Sequence, residues 1–512
     1  MTERADATVS APVPPTRQKT FLGHPRGLFV LFFTEMWERF SYYGMRALLV
    51  LYMTSYLVKD PEKAATVFGF EALRKLLEMG FGPLDVQPLA SQIYGLYTGF
   101  VYLTPFFGGI LADKVWGQRK TVYIGGILMA VGHFLMAFES LFLPAMFFLI
   151  LGNGAFKPNI STQVGTLYPQ GDSRRDGAFT LFYMGINLGA FFSPLVCGTL
   201  GQKYGWHWGF GMAGVGMIAG LCIYHCGRRL LPPDPHEALE AQQASSVGQK
   251  TVQVSKVLGG LFGVVVLFFA ILILPGVWKA AIGILIAAGV VFAISRVRGE
   301  DRHRVIILCL VCLGAVAFWS IFEQQGNTLQ LWADEKTDWH FFGFDVPSTW
   351  YQAFNPFFIF AFAPLLNLLW SLRAQKGKTS SSVRKMGVGC VLCGLAYVVM
   401  ILAARVVGDG PERGSLLWLA GTTWVFTMGE LYLSPIGLSF FSKISPPRML
   451  SMMMGVWHLS SFFGNYMSGY VGSFYSRMPK EDFFLMLCVI GVIVGALFFV
   501  AEFRIRKFIG DV

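Results

Sequence analysis

The stretch Glu35-Met36-Trp37-Glu38-Arg39-Phe40, followed by Tyr42, Tyr43 and Arg46, decides how this chain is read. It lies inside the first long apolar run, residues 28–58. Two carboxylates and two guanidinium groups in a membrane-length helix are expensive, at about 2.5–3.5 kcal/mol for each charge at the bilayer centre. Such groups persist where they face a bundle interior or a water-filled cavity. At about 100° per residue, Glu35, Glu38, Arg39, Tyr42, Tyr43 and Arg46 fall on one broad helical stripe. The stripe reads as the lining of a pathway, not as a surface turned to lipid.

Composition points the same way. Of the 512 residues, 54% are hydrophobic and 14% charged, where a soluble domain carries about a quarter charged residues. Apolar runs occur at 28–58, 87–112, 120–139, 142–168, 177–202, 207–227, 257–275, 278–296, 304–332, 349–372, 384–407, 415–442, 449–475 and 481–503. Each suffices for one crossing at roughly 20 residues, so an all-α polytopic membrane protein with fourteen transmembrane helices is expected. The first 27 residues are polar and basic and lack the apolar core of a signal peptide, so the first helix serves as its own insertion signal.

The even count puts both termini on one side. Lys and Arg concentrate in the N-terminal tail, the C-terminal end and alternate loops, including Lys114, Arg119, Lys120, Arg174, Arg175, Arg228 and Arg229, which assigns both termini to the cytoplasm. The net charge of +11 is spread over these loops rather than gathered in one patch, which argues against nucleic acid. The expected organisation is a cytoplasmic tail (1–27), a six-helix bundle (28–227), a Pro- and Gln/Ala/Ser-containing linker (228–256), a two-helix insertion (257–298), a second six-helix bundle (299–507) and a short tail (508–512). Residues 61–80 read as one amphipathic helix capping the first two crossings, with a lid as the other reading.

Further ionisable groups sit mid-segment: Lys157 in Gly154-Ala155-Phe156-Lys157-Pro158-Asn159, Glu323 in Trp319-Ser320-Ile321-Phe322-Glu323, and Glu430 in Gly429-Glu430-Leu431. Pro158 disfavours helical geometry at the residue before it, and a locally opened helix can aim Lys157 inward; the other reading is an ordinary kink with the ammonium snorkelling out, which the mid-segment position of Lys157 makes difficult. Cations concentrate in the first half, whereas the second supplies Glu323, Glu430 and Asn355. A cavity between the halves is therefore bipolar and complements a zwitterion such as a short peptide. One buried ion pair is explained as readily by packing, but seven ionisable groups on four helices are not. The eight cysteines lie in apolar stretches and read as small packing residues. No nucleophile–base set and no metal-spaced histidines are visible, so an enzyme is not expected, and no cofactor beyond protons.

The residues Glu35 to Gly44 (E-x-x-E-R-F-x-Y-Y-G), Gly154 to Asn159 (G-x-F-K-P-N) and Phe182 to Gly189 (F-Y-x-x-I-N-x-G) resemble the proton-dependent oligopeptide transporter (POT, or PTR) family of the major facilitator superfamily, bacterial type. The turn Gly109 to Lys120 is similar to the superfamily's loop motif. The resemblance implies a major facilitator fold of two six-helix bundles plus two extra helices. It further implies proton-coupled import of di- and tripeptides by alternating access, in the plasma membrane, as a monomer. By motif position, Arg39, Tyr43 and Lys157 correspond to the peptide carboxylate site, and Asn187, Asn355 and Glu430 to the amino-terminus site. Tyr102, Trp319 and Trp457 correspond to pocket residues, and Arg46 and Glu323 to an outer-gate pair. Animal members carry a His where this chain has Gly95. Coupling then rests on carboxylates, with Glu35, Glu38 and Glu323 as candidates. A symporter for nitrate or another small anion is the second reading, which Glu430 disfavours. A non-transporting receptor is the third, and it leaves the intramembrane proton groups without a purpose.

Overall fold

The computed structural model describes residues 20–169, 171–234, 247–341, 343–378, 380–408 and 410–509. Most of the N-terminal tail, residues 235–246 of the linker and the last three residues lie outside that set. The first half is built from α1 (Arg26–Tyr52), α4 (Val86–Leu111), α5 (Gly117–Leu135), α6 (Phe142–Thr166), α7 (Arg174–Thr199) and α8 (Trp206–Gly227). Between α1 and α4 lie the short helices α2 (Pro61–Thr66) and α3 (Phe70–Phe81). A hairpin of α9 (Val247–Ile273) and α10 (Gly276–Arg296) follows. The second half comprises α11 (Glu300–Phe322), the short α12 (Thr328–Lys336), α13 (Phe354–Gln375), α14 (Ser382–Val407), α15 (Leu417–Ile444), α16 (Leu450–Gly472) and α17 (Lys480–Ile509).

Each of the fourteen apolar runs is thus helical. Among the described residues, ten helical stretches are long and apolar enough to cross a membrane, one of them joining α4 to α5 through the π turn Ala112–Trp116. Helices α1, α15 and α16 fall outside that set. The polar groups that dilute α1 (Glu35, Glu38, Arg39, Ser41, Arg46) are all buried. Interior polarity is what a helix lining a pathway shows.

The two halves repeat one packing scheme. In the first, α1 packs on α7 and α8, α4 on α6, and α5 on α6 and α8. In the second, α11 packs on α16 and α17, α13 on α15, and α14 on α15 and α17. The halves meet through α4 against α16 and α7 against α13, contacts that are equivalent under the repeat. Internal repeats with the site at their interface are a common transporter plan. The hairpin α9–α10 lies at the periphery with almost all of its surface uncovered.

Two local departures from the sequence reading have clear causes. The 61–80 segment is two helices, not one. Asp60 caps the first by accepting from the Glu62 amide at 3.0 Å, and Gly69, at φ +80°, turns the chain into the second. Helix α6 runs through Pro158 without opening. The Gly154 carbonyl, which Pro158 cannot engage as a donor, packs instead against Gly108 of α4, where an added Cβ would lie 2.0 Å from that oxygen. Asn159 secures the same crossing, its amide donating to the Ala155 carbonyl at 2.7 Å and the Gly108 carbonyl at 3.4 Å.

That crossing is directly testable. Gly108→Ala forces a methyl into backbone and should cost about 1–3 kcal/mol, the usual penalty of overpacking. Gly109→Ala, whose Cβ meets nothing within 4 Å, should leave stability unchanged or slightly raised. Thermal unfolding in detergent reads both, and an equal Tm for the two variants would remove the close approach as a constraint.

Candidate functional site

One end of the molecule is closed across the two halves. At its centre, Arg46 of α1 pairs through Nη2 with Glu323, while its Nε donates to the Tyr94 hydroxyl of α4 at 2.8 Å. Both ionised side chains are buried. Glu323 does not continue α11. It opens a 3-10 turn, Glu323–Gly326, that ends the helix. The turn permits the pairing, because a Cβ on Gly326 would sit 2.0 Å from the Tyr94 hydroxyl and 3.0 Å from Arg46 Nε. Further side-chain hydrogen bonds flank the pair on both seams. On the α4/α16 side, Ser91 Oγ donates to Asn327 Oδ1 at 2.8 Å and Gln87 Nε2 to the Gly472 carbonyl at 3.0 Å. On the α7/α13 side, Gln202 Nε2 donates to Ser348 Oγ at 2.8 Å and Asp334 Oδ1 at 3.1 Å, and its carbonyl accepts from the Thr349 amide at 3.1 Å.

Beneath this closure lies a cavity of about 1020 Å³, running to the opposite end at Phe106, Ser161, Leu438 and Met452. It reaches the upper range for ligand sites, roughly 300–1,000 Å³. Helices from both halves build its walls. From the first half come Tyr43, Arg46, Tyr102, Lys157 and Asn187; from the second come Trp319, Glu323, Asn355, Glu430 and Trp457. All ten are residues that the sequence had singled out.

The charges are arranged unevenly. Lys157 reaches over the face of Tyr102, its Nζ 4.6 Å from the ring centroid, on the first-half wall. Facing them from the second half, Asn355 Nδ2 donates to Glu430 Oε2 at 2.9 Å and to Thr427 Oγ1 at 3.1 Å. That amide fixes one Glu430 oxygen. Asn187 donates within its own helix, to the Tyr183 carbonyl at 3.0 Å.

Arg39, Glu35 and Glu38 are placed differently from the other expected residues. They are buried behind the lining rather than on it. Glu38 takes Arg39 in a two-point contact, through Nε and through Nη2 at 2.7 Å, and accepts from Asn153 Nδ2 at 3.2 Å. Glu35 Oε1 lies 3.3 Å from Arg39 Nε, whereas its Oε2 makes no hydrogen bond within the protein. Their i,i+4 and adjacent positions on α1 allow the guanidinium to fold onto both carboxylates.

The lining also includes residues that sequence reasoning left without a role: Tyr183, Gln325, Gln352, His458 and Asn465. Tyr183 stands inside a motif already quoted, and Gln325 lies two residues past Glu323. His458 directly follows Trp457, and a lone His beside a Trp carries no spacing signal. Trp319 Nε1, Gln325 Nε2 and Asn465 Oδ1 are buried and find no protein partner, which leaves polar atoms on the wall able to orient a bound molecule. Among the described residues, no cluster of three or more His, Cys, Asp or Glu is placed to hold a metal.

Two related helical halves, a closure at one end and a bipolar cavity between them define a membrane transporter of alternating-access design. The family model described as the POT family matches residues 119–487, and the chain belongs to that family, whose members are transporters and not enzymes. It is 38% identical to the peptide transporter YePEPT of Yersinia enterocolitica, over 89% of this chain and 88% of that one. It is 34% identical to a di-/tripeptide transporter of Lactococcus lactis subsp. cremoris, over 97% and 98%. Among solved structures, a variant of peptide transporter POT in complex with alafosfalin superposes with a TM-score of 0.78 at 32% identity, covering 96% of this chain and 97% of that one. A POT family transporter in complex with 5-aminolevulinic acid gives 0.76 at 29%, covering 96% and 99%.

The Arg46–Glu323 pair should behave as a coupled unit. Arg46→Ala and Glu323→Ala each strand a buried charge, at a cost of about 3–5 kcal/mol. The double variant strands none and should lose less than the sum of the two. A double-mutant cycle on Tm, converted to free energy, measures that coupling. Additive losses would remove the pair as the centre of the closure.

Proposed function

We propose that this chain is a proton-coupled symporter that imports di- and tripeptides across the plasma membrane by alternating access. On this reading all fourteen long helices cross the bilayer, with 28–227 and 299–507 as the two moving bundles. The distribution of Lys and Arg puts both termini in the cytoplasm. The present conformation is then closed to the outside and open to the cytoplasm. A single chain encloses the whole cavity, which favours a working monomer.

The observation that carries the proposal is the separation of charge in the cavity, with Lys157 on the first-half wall and Glu430, oriented by Asn355, on the second. A peptide backbone ends in an ammonium and a carboxylate. Lys157, with Tyr43 of the same wall, receives the carboxylate, while Glu430, Asn355 and Asn187 receive the amino terminus. Tyr102, Trp319 and Trp457 form apolar walls for side chains. A substrate engaging both sites links the two halves. Binding shifts the equilibrium between outward and inward states by its differential affinity for them. The relative bound to 5-aminolevulinic acid, a compound with an amine and an acid group, supports a two-ended site. A purely anionic substrate would meet Glu430 without compensation, which disfavours nitrate.

Arg39 acts one step removed. It holds Glu35 and Glu38, and Glu35 keeps one oxygen free of hydrogen bonds. Together with Glu323 at the closure, these carboxylates are the groups whose protonation frees a cationic partner. Protonating Glu323 weakens its hold on Arg46 and lets the closed end part. The coupling ion is thus the proton, and no further cofactor is required.

Labelled dialanine counterflow in proteoliposomes, with and without an inward proton gradient, tests the function. Exchange without a gradient and accumulation with one are expected; neither occurring would overturn the assignment. Lys157→Ala should abolish gradient-driven accumulation, and normal acid-driven uptake by that variant would remove Lys157 from the mechanism. Glu430→Gln should weaken a free dipeptide far more than its N-acetylated form. The loss is that of a charge partner in a desolvated site, about 2–5 kcal/mol. Equal losses for both ligands would show that Glu430 does not read the amino group.

A further inference from the structure

The seam between α4 and α16 changes character along its length. Near the closed end it is tight: a Cβ on Gly95 would lie 2.7 Å from Gly469 Cα, and one on Gly99 3.3 Å from the Phe462 carbonyl oxygen. Toward the open end the same two helices face the cavity, α4 through Tyr102 and Phe106, α16 through Val456 and Leu459. A cavity that these two helices line here needs a third element to keep acyl chains out.

The inserted helix α9 lies across this stretch. Phe268 sits edge-on between the halves, its ring 5.5 Å from Phe100 of α4 and 6.0 Å from Phe462 and 4.9 Å from Tyr466 of α16. One turn toward the open end, Val264 belongs to the cavity lining. A further turn on, Gly260 lies against Phe107, which a Cβ would approach to 3.8 Å. The hairpin is fastened at its other end as well. Lys279 Nζ donates to the Gly80 carbonyl of α3 at 3.1 Å, and the Leu272 carbonyl oxygen would be 2.8 Å from a Cβ on Gly80. The opposite face of α9 is turned outward, with Phe262 and Leu267 exposed.

We propose that the inserted hairpin completes the cavity wall: Phe268 wedges the α4/α16 seam, and Val264 bounds the space for a substrate side chain. The proposal rests on the cavity being the peptide site. Val264 is then a specificity-determining residue and Phe268 a positioning residue. A β-branched valine at the wall leaves a pocket whose volume is set by one small, stiff side chain. A larger group there intrudes on bulky peptides first.

The test uses the full chain in proteoliposomes, in two parts. In the first, Val264→Cys and Val266→Cys are treated with a charged, membrane-impermeant maleimide, and modification of each position is read by mass spectrometry. Thiols react as thiolates, which form in water and not against lipid. Val264→Cys should react at least tenfold faster than Val266→Cys and be slowed by saturating dialanine. Equal rates at the two positions would overturn the proposal. Fast reaction at Val264→Cys that dialanine leaves unchanged would uphold the wall but overturn the peptide reading of the cavity. In the second part, Val264→Trp should raise the KM for diphenylalanine relative to dialanine at least tenfold. Val266→Trp should leave that ratio unaltered. An unchanged ratio in Val264→Trp would overturn the specificity role.

Discussion

The contact between Arg46 and Glu323 is the constraint on which the rest of the arrangement depends. It is made between α1 and the turn after α11, helices in equivalent places in the two halves. Its geometry requires a glycine at 326, a tyrosine at 94 and a helix that ends early. A buried ion pair has a modest net stability, because desolvation offsets attraction. That balance suits the gating role proposed for the pair. Two apolar surfaces of the same size would bind too firmly to part, whereas a pair whose attraction depends on the ionisation of one partner can be released by a proton. The bonds from Ser91 to Asn327 and from Thr349 to Gln202 join neutral groups and carry no such dependence, so they align the halves.

The division of labour between the halves follows from where each charge finds its partner. Arg39 is satisfied within the first half by Glu35 and Glu38, and needs nothing from across the cavity. Lys157, also in the first half, has an aromatic face beneath it and the cavity before it. Glu430 has an amide donor on one oxygen and, among the described residues, no salt bridge to a cation of its own half. Complementary groups are therefore left apart, on opposite walls. A molecule bearing both charges spans them more effectively than either half alone, which is how binding energy becomes coupled to the relation between the halves.

Much of this was legible because ionisable groups in apolar helices are costly and so stand out. The stripe on α1, Lys157, Glu323 and Glu430 are each conspicuous in an otherwise apolar run, and ten of the expected site residues line one cavity. What the pattern could not separate was Arg39 from Lys157. Both cost the same to bury, and only side-chain geometry shows that one is folded onto its own helix's carboxylates while the other is presented to the cavity. The break at Glu323 was hidden for a related reason. Nothing local forces it, since Gly326 is required by Tyr94 and Arg46, which are remote in sequence. The 61–80 segment hid its break at Gly69 inside a plausible amphipathic period. For α9, apolar on all sides, hydropathy cannot distinguish the face against the α4/α16 seam from the face in lipid.

A count of charge ties the site to its coupling ion. The intramembrane acids are Glu35, Glu38, Glu323 and Glu430, and the intramembrane bases are Arg39, Arg46 and Lys157. With all of them ionised, the interior carries one carboxylate more than it has cations. A zwitterionic peptide adds one charge of each sign and leaves that excess in place. A proton removes it. Moving a net charge through the apolar environment of a closing cavity is costly at the scale of intramembrane ionisable groups. On the proposed reading, the loaded, protonated protein therefore closes around a neutral interior, whereas the loaded, unprotonated one must bury an unpaired carboxylate. The same asymmetry opposes closure around a peptide alone, which is the behaviour that the proposed coupling through these groups calls for.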